Sequence, residues 1–231
     1  MKEQLREKFR QRLITRFPVA LTKIMSDLSI KGFMIAGGFL IKDSRDIDIF
    51  FDTKADYVKA EKLVTSDDNI QVLSKTKNAV TFRVEGNTVQ FCSYVKESLK
   101  KLVKSFDYAH CQIGAWCSAE NFADPDIYFT DDFIQAMTFQ STYYTGSDYP
   151  LSSLIRMFKY KERGLFSGAS YIMECIKVFN SVVERGFSDY DDFKDQLDAV
   201  DLGLLPDELK EMENDRNCLR ELFDLLNEEV K

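Results

Sequence analysis

The run FMIAGGFLIKDSRDIDIFF, from Phe33 to Phe51, constrains this chain more than any other stretch. Phe33-Met34-Ile35-Ala36 is an apolar run fit for a buried strand, and Gly37-Gly38 ends it. A seven-residue connector, FLIKDSR, leads to Asp46-Ile47-Asp48-Ile49-Phe50-Phe51, which alternates strictly over its first four residues. Side chains of a strand point to opposite faces in turn, so Asp46 and Asp48 share one face while Ile47 and Ile49 enter the core. Two carboxylates on one face can converge on a divalent cation such as Mg2+ or Mn2+. Such ions take carboxylate oxygens, complete their shell with substrate phosphates and assist phosphoryl or nucleotidyl transfer. Glycines without side chains let the backbone approach a triphosphate, and their N–H groups can point at phosphate oxygens.

The rest of the chain reads as helices and short strands around that run. Leu5, Phe9, Leu13 and Phe17 recur every four residues, and Pro18 separates this helix from a second through Leu21, Ile24, Met25 and Leu28. The first helix carries Lys2, Arg6, Lys8, Arg10, Arg12 and Arg16, a solvated basic face or a nucleic-acid contact. Lys54 to Leu63 has helical spacing. Val80–Val84 and Thr88–Phe91 read as a hairpin around a three-residue loop, Glu85-Gly86-Asn87. A helix from Glu97 to Ser105 and a strand from Asp107 to Trp116 come next. Turn residues cluster from Gly146 to Pro150, and helical patterns dominate beyond them: Leu151–Arg163, Ala169–Val183 and two or more acidic helices after Asp189. The expected domains are therefore 1–147, the candidate catalytic domain with its N-terminal helices, and 148–231, a helical domain with an acidic tail.

Composition excludes several classes. No stretch approaches the roughly 20 apolar residues of a membrane helix, and the charge-interrupted N-terminus has no signal-peptide core. These absences point to a cytoplasmic protein. Five cysteines at irregular spacing, without a CxxC, argue against a disulfide framework or a zinc site. The net charge of −7 argues against coating nucleic acid by bulk electrostatics. Its placement is uneven: residues 189–231 hold 15 acids and 5 bases, a balance of −10, so the rest of the chain carries +3. His110, the only histidine, sits in an alternating apolar run and reads as a hydrogen-bonded core residue.

AGGFLIKDSRDIDIFF resembles the signature of the DNA polymerase β-like nucleotidyltransferase superfamily: an apolar strand, a Gly-Gly turn, a connector, then Asp-x-Asp in a strand. VQF, FDYAHCQ and LIRMFKYKERG are similar to segments of an uncharacterised phage and bacterial group of such proteins. The resemblance implies an α/β fold, with a small mixed, twisted sheet flanked by helices and an α-helical C-terminal domain. It also implies metal-dependent transfer of a nucleoside monophosphate from a nucleoside triphosphate, ATP among the candidates, to an RNA, protein or small-molecule hydroxyl. Members hold the metal with three carboxylates. Here the connector is shorter than in the tRNA-end-repairing branch, and Gln90 stands where many members place the third acid. Asp107 is the candidate substitute, beside Asp46 and Asp48. Gly37, Gly38, Lys42 and Ser44 are candidate nucleotide contacts. Arg156, Lys159 and Arg163, on one helix face, are expected to look across a cleft and clamp the triphosphate. The alternative is a catalytically degenerate module binding a nucleotide or a partner, in a toxin–antitoxin or phage–host setting.

Overall fold

A computed structural model describes residues 2–41, 46–67, 69–118, 122–198 and 216–229. Helices α1 (Lys2–Arg16) and α2 (Val19–Asp27) precede β1 (Gly32–Ala36), the one-turn α3 (Gly38–Ile41) and β2 (Asp46–Phe51). Then come α4 (Lys54–Ser66), β3 (Gln71–Lys75), β4 (Ala79–Val84), β5 (Asn87–Cys92) and α5 (Leu99–Lys104). A 3-10 turn (Ala109–Cys111) leads to β6 (Ile113–Ser118), β7 (Asp126–Phe129) and α6 (Asp131–Phe139). The remaining helices among the described residues are α7 (Pro150–Glu162), α8 (Gly168–Arg185), α9 (Tyr190–Asp198) and α10 (Arg216–Glu229). The fold is α/β with a helical C-terminal part.

The seven described strands form one mixed sheet in the order β3-β4-β5-β2-β1-β6-β7. Among the described strands only β2 and β5 pair in parallel; the other neighbours are antiparallel. One face is dry. Ile47, Ile49 and Phe51 of β2, Ile35 of β1 and Phe91 of β5 lie in a single core with Leu13 of α1, Leu21 and Met25 of α2, and Ala60 of α4. Burying each large aliphatic side chain contributes roughly 1.5–3 kcal/mol, so this face fixes the register of β2.

Two local features differ from expectation. The β4–β5 connection is a two-residue turn, Glu85-Gly86, both at positive φ (48° and 75°), which is the primed geometry that matches the twist of flanking strands. Asn87 therefore joins the ladder opposite Val84. Asp107 opens no strand; the chain makes the 3-10 turn first and β6 starts at Ile113. Three elements that the pattern does not suggest are also present: β3, with all five residues exposed, the four-residue β7, and α6.

The chain divides into two compact units, Met1–Ser105 with Cys111–Ile134, and Phe106–His110 with Gln135–Lys231. This division falls earlier than the 147/148 boundary that the turn residues suggest. No described helix is long and apolar enough to cross a membrane.

Trp116, the only tryptophan, lies against the Gly32 backbone: a Cβ added at Gly32 would sit 2.4 Å from the indole. The indole Nε1, itself 2.9 Å from that Cβ position, donates to Asp52 Oδ2 at 3.1 Å, which holds this edge of the ring in place. Gly32→Ala should therefore overpack this contact and lower stability by about 1–3 kcal/mol. Urea unfolding followed by Trp116 fluorescence reads it directly.

Candidate functional site

The site is built on β2 at the middle of the sheet. Ile47 and Ile49 are fully buried, while Asp46 is exposed and Asp48 half-buried on the opposite face. Ladder partners share a face, so the pairing shows what surrounds the acids. Asp48 is flanked by Ala36 on β1 and Gln90 on β5, and Asp46 by Thr88 on β5. The pair predicted from alternation thus shares one face in the structure, with Gln90 directly beside Asp48.

The Gly37 turn closes one end of this arrangement. Gly37 has φ +80°, a conformation that favours glycine, and a Cβ there would lie 3.7 Å from Asp48 Oδ2. Its N–H donates to the Ile113 carbonyl at 3.1 Å, so that donor holds the turn to β6 and is not aimed at a ligand. Gly38 opens α3 with open space at its Cβ position. Two cations of the basic N-terminal helix steady α3: Arg12 donates to the Ile41 carbonyl at 2.7 Å and Arg16 to that of Phe39 at 3.4 Å. Arg6 and Arg10 pair with Glu3 and Glu7, and Lys2 with Asp131. Lys42 and Ser44 lie outside the described residues.

Gln90, the ladder partner of Asp48, stands where the resemblance leads one to expect a third acid. Its amide Nε2 donates to Thr81 Oγ at 3.2 Å, across the β4–β5 ladder. Cys92, next on the same face, has its thiol pushed well above the ordinary range, first by burial and then by the charge of Asp48. The thiol is accordingly a neutral neighbour at physiological pH, not a nucleophile. No group of three or more His, Cys, Asp or Glu side chains suited to a metal converges among the described residues. Two carboxylates on one face nevertheless fit a Mg2+-type ion, which uses one or two protein carboxylates and fills its other positions with water and phosphate.

Asp107 and Arg156 have a different setting. Both belong to the second unit, and they bond to each other: Arg156 donates to Asp107 Oδ2 at 2.8 Å, as does Ser153 Oγ at 2.8 Å. The Asp107 side chain is 3% exposed. Next to it, the Tyr108 hydroxyl donates to the Ser153 carbonyl at 2.7 Å. Burial, with the Asp107 charge second, raises that hydroxyl far above the usual tyrosine range. His110 Nδ1 lies 2.7 Å from Thr142 Oγ, with its ring edge-on to Tyr160, as a hydrogen-bonded interior histidine would. Arg163 caps the end of α7 and is exposed, and Lys159 is half-buried in its last turn. The carboxylate expected to supply a third ligand and the guanidinium expected to hold phosphate are thus parts of one ion pair, in which Asp107 is buried and Arg156 half-buried. Sequence reasoning misses Thr81 as the partner of Gln90. A three-residue hairpin loop would set Gln90 against Phe82, whereas the observed turn sets it against Thr81.

With this geometry in view, the profile of the Gabija anti-defense 2 (Gad2) family matches residues 5–140, more than half of the chain. The chain belongs to the Gad2 family. No curated protein matches it. Among solved structures, the Gad2-family chain is similar to a CCA-adding enzyme in complex with ATP. The identity is 13%, the match covers 88% of this chain and 51% of that one, and the TM-score is 0.51. It is equally similar to a complex of such an enzyme with CTP, at 12% identity, with 93% and 54% covered and a TM-score of 0.51. A tRNA-processing enzyme in an apo form gives 14% identity, 91% and 59% covered and a TM-score of 0.49. The chain spans little more than half the length of these structures. At such identities the likeness is one of fold: the Gad2-family chain has a nucleotidyltransferase-like fold.

The Asp107–Arg156 pair yields a test of its own. Arg156→Ala leaves a buried carboxylate without its cation and should cost about 3 kcal/mol, while Arg163→Ala at the exposed helix end should stay within about 0.5 kcal/mol. Equilibrium urea unfolding of the two variants distinguishes an internal tie from a surface cation.

Proposed function

We propose that this Gad2-family chain is a metal-dependent nucleotidyltransferase, moving a nucleoside monophosphate from a nucleoside triphosphate to a hydroxyl of an RNA, a protein or a small molecule. The observation that carries the reading is the placement of Asp46 and Asp48 on the outward face of β2, with the Gly37 turn against Asp48. On this reading Asp46 and Asp48 hold Mg2+ or Mn2+, which when bound supplies charge to the phosphates and to the oxygens at the reacting phosphorus. Gln90 and Thr81 form an uncharged flank beside Asp48, and Gly38 leaves room for backbone approach. In the transfer, the acceptor hydroxyl would lose its proton to solvent and its oxygen would bond to the α-phosphorus as the bond to pyrophosphate breaks. The proposal is carried by the first unit; Arg156 is committed to Asp107. Nucleotides in the neighbours, ATP in one and CTP in another, accord with the donor class.

A second reading is favoured by one observation: the position next to Asp48 on β5 is an amide, not an acid. A site with two carboxylates could hold a metal-bound nucleotide, or a partner, without turnover. The family name points to counteracting Gabija defence. An enzyme of this family would modify a component of that defence, and a binding module would occupy one.

Incubation with labelled nucleoside triphosphates, Mg2+ or Mn2+, and RNA or protein acceptors separates the two. Transfer should be metal-dependent and fall on the order of 10²-fold or more in Asp46→Asn/Asp48→Asn. That variant should fold as well as the parent, because two like charges repel each other when no cation lies between them. Wild-type transfer by the double variant would refute the site, and nucleotide binding without incorporation would support the second reading.

A further inference from the structure

Of the cations expected to clamp a triphosphate, Arg156 is tied to Asp107 in the second unit. A triphosphate at Asp46 and Asp48 still needs positive charge, because two carboxylates already offset one divalent cation. The sheet of the first unit supplies it. Ladder partners share a face: Asp46 lies beside Thr88 of β5, and Thr88 beside Arg83 of β4. Arg83 is therefore in the same row as Asp46 and on the same face, two strands away, or about 10 Å at the usual strand spacing. The burial of β4 agrees, since Val80, Phe82 and Val84 enter the core on the opposite side.

Arg83 has no structural employment on this face. It is exposed, and its side chain makes no hydrogen bond or ion pair among the described residues. Along β4 and β5 the face otherwise carries Ala79, Thr81, Thr88, Gln90 and Cys92, none of them charged. The guanidinium thus stands near two carboxylates with no acid of its own. The other flank of the site is covered. Beyond Asp48 come Ala36 of β1, fully buried, and Gly114 of β6, where an added Cβ would lie 2.8 Å from side-chain carbons of both Leu99 and Val103 of α5. An apolar helix on that side leaves the polar β5–β4 side as the open flank, with Thr88 half-buried and Arg83 exposed.

We propose that Arg83 is the phosphate-holding cation of the Asp46/Asp48 site, an inference that rests on the nucleotidyltransferase reading above. A guanidinium presents its N–H donors in a planar fork that matches two oxygens of one phosphate. Thr88, between Asp46 and Arg83, adds an uncharged hydroxyl to the same row. Arg83 and the Gly37 turn lie on opposite sides of β2, so the two features would bracket the substrate. The phosphate is that of the donor triphosphate or of a nucleic-acid acceptor, and to a guanidinium the two present the same chemistry.

Two binding titrations test the assignment, one with Mn2+ and a nucleoside triphosphate, the other with a single-stranded RNA oligonucleotide alone. Arg83→Ala should weaken at least one of them by about tenfold or more, as loss of a charge-assisted contact does. It should keep the far-UV circular dichroism and melting temperature of the parent, because the position is exposed. Arg83→Lys keeps the charge without the fork and should lose less. The gap between parent and Arg83→Ala should narrow as salt rises, which a merely structural role would not produce. Loss in the triphosphate titration assigns the phosphate to the donor, and loss in the RNA titration assigns it to the acceptor. Unchanged binding in both would overturn the role of Arg83. The Asp46→Asn/Asp48→Asn variant tells that failure from a failure of the site. If this variant loses Mn2+-dependent nucleotide binding and Arg83→Ala loses nothing, Arg83 alone is wrongly assigned. If it keeps that binding, the site and the assignment fall together.

Discussion

The alternation of β2 is the constraint on which the site rests. Ile47 and Ile49 occupy the dry core, and the strand is gripped on both sides, antiparallel by β1 and parallel by β5. A slip of one residue would put two aspartates into hydrocarbon and two isoleucines into water, a cost of many kcal/mol. Hydrophobic burial on one face thereby sets the position of the carboxylates on the other. The Gly37 turn depends on the same strand pairing, because Ala36 is the ladder partner of Asp48.

Much of this is legible in the residues because the signals are local. Alternation in DIDIFF, the Gly-Gly stop and the four-residue spacing of α1 each belong to one element and need no partner to be read. Features that depend on a partner are harder to read. The hairpin loop reads one residue too long because Asn87 has turn chemistry, yet its pairing with Val84 makes it a strand residue. Asp107 looks like a candidate ligand because its carboxylate is visible in the sequence, whereas Ser153 and Arg156, 46 and 49 residues away, are not visible as its partners. The short edge strand β3, exposed along its length, has no apolar alternation to betray it.

The Gad2 profile and the likeness to CCA-adding enzymes bear on different levels. The first gives the family and the second the fold. Gln90, beside Asp48 on β5, is the residue on which the proposed catalyst and the alternative binding module differ. An amide hydrogen-bonded to Thr81 brings no charge beside Asp48. On the proposed reading the metal's protein ligands would be two carboxylates, and substrate phosphates would complete its shell. Ion and nucleotide should accordingly bind as a unit, each strengthening the other.

That coupling gives the most direct measurement of the central claim. Electron paramagnetic resonance of Mn2+ counts free ion as protein is added, with and without a nucleoside triphosphate. The account predicts weak binding of Mn2+ to the protein alone, marked tightening when the nucleotide is present beyond what the nucleotide binds by itself, and loss of that tightening in Asp48→Asn. Mn2+ binding that is unchanged by Asp48→Asn, or indifferent to the nucleotide, would contradict it.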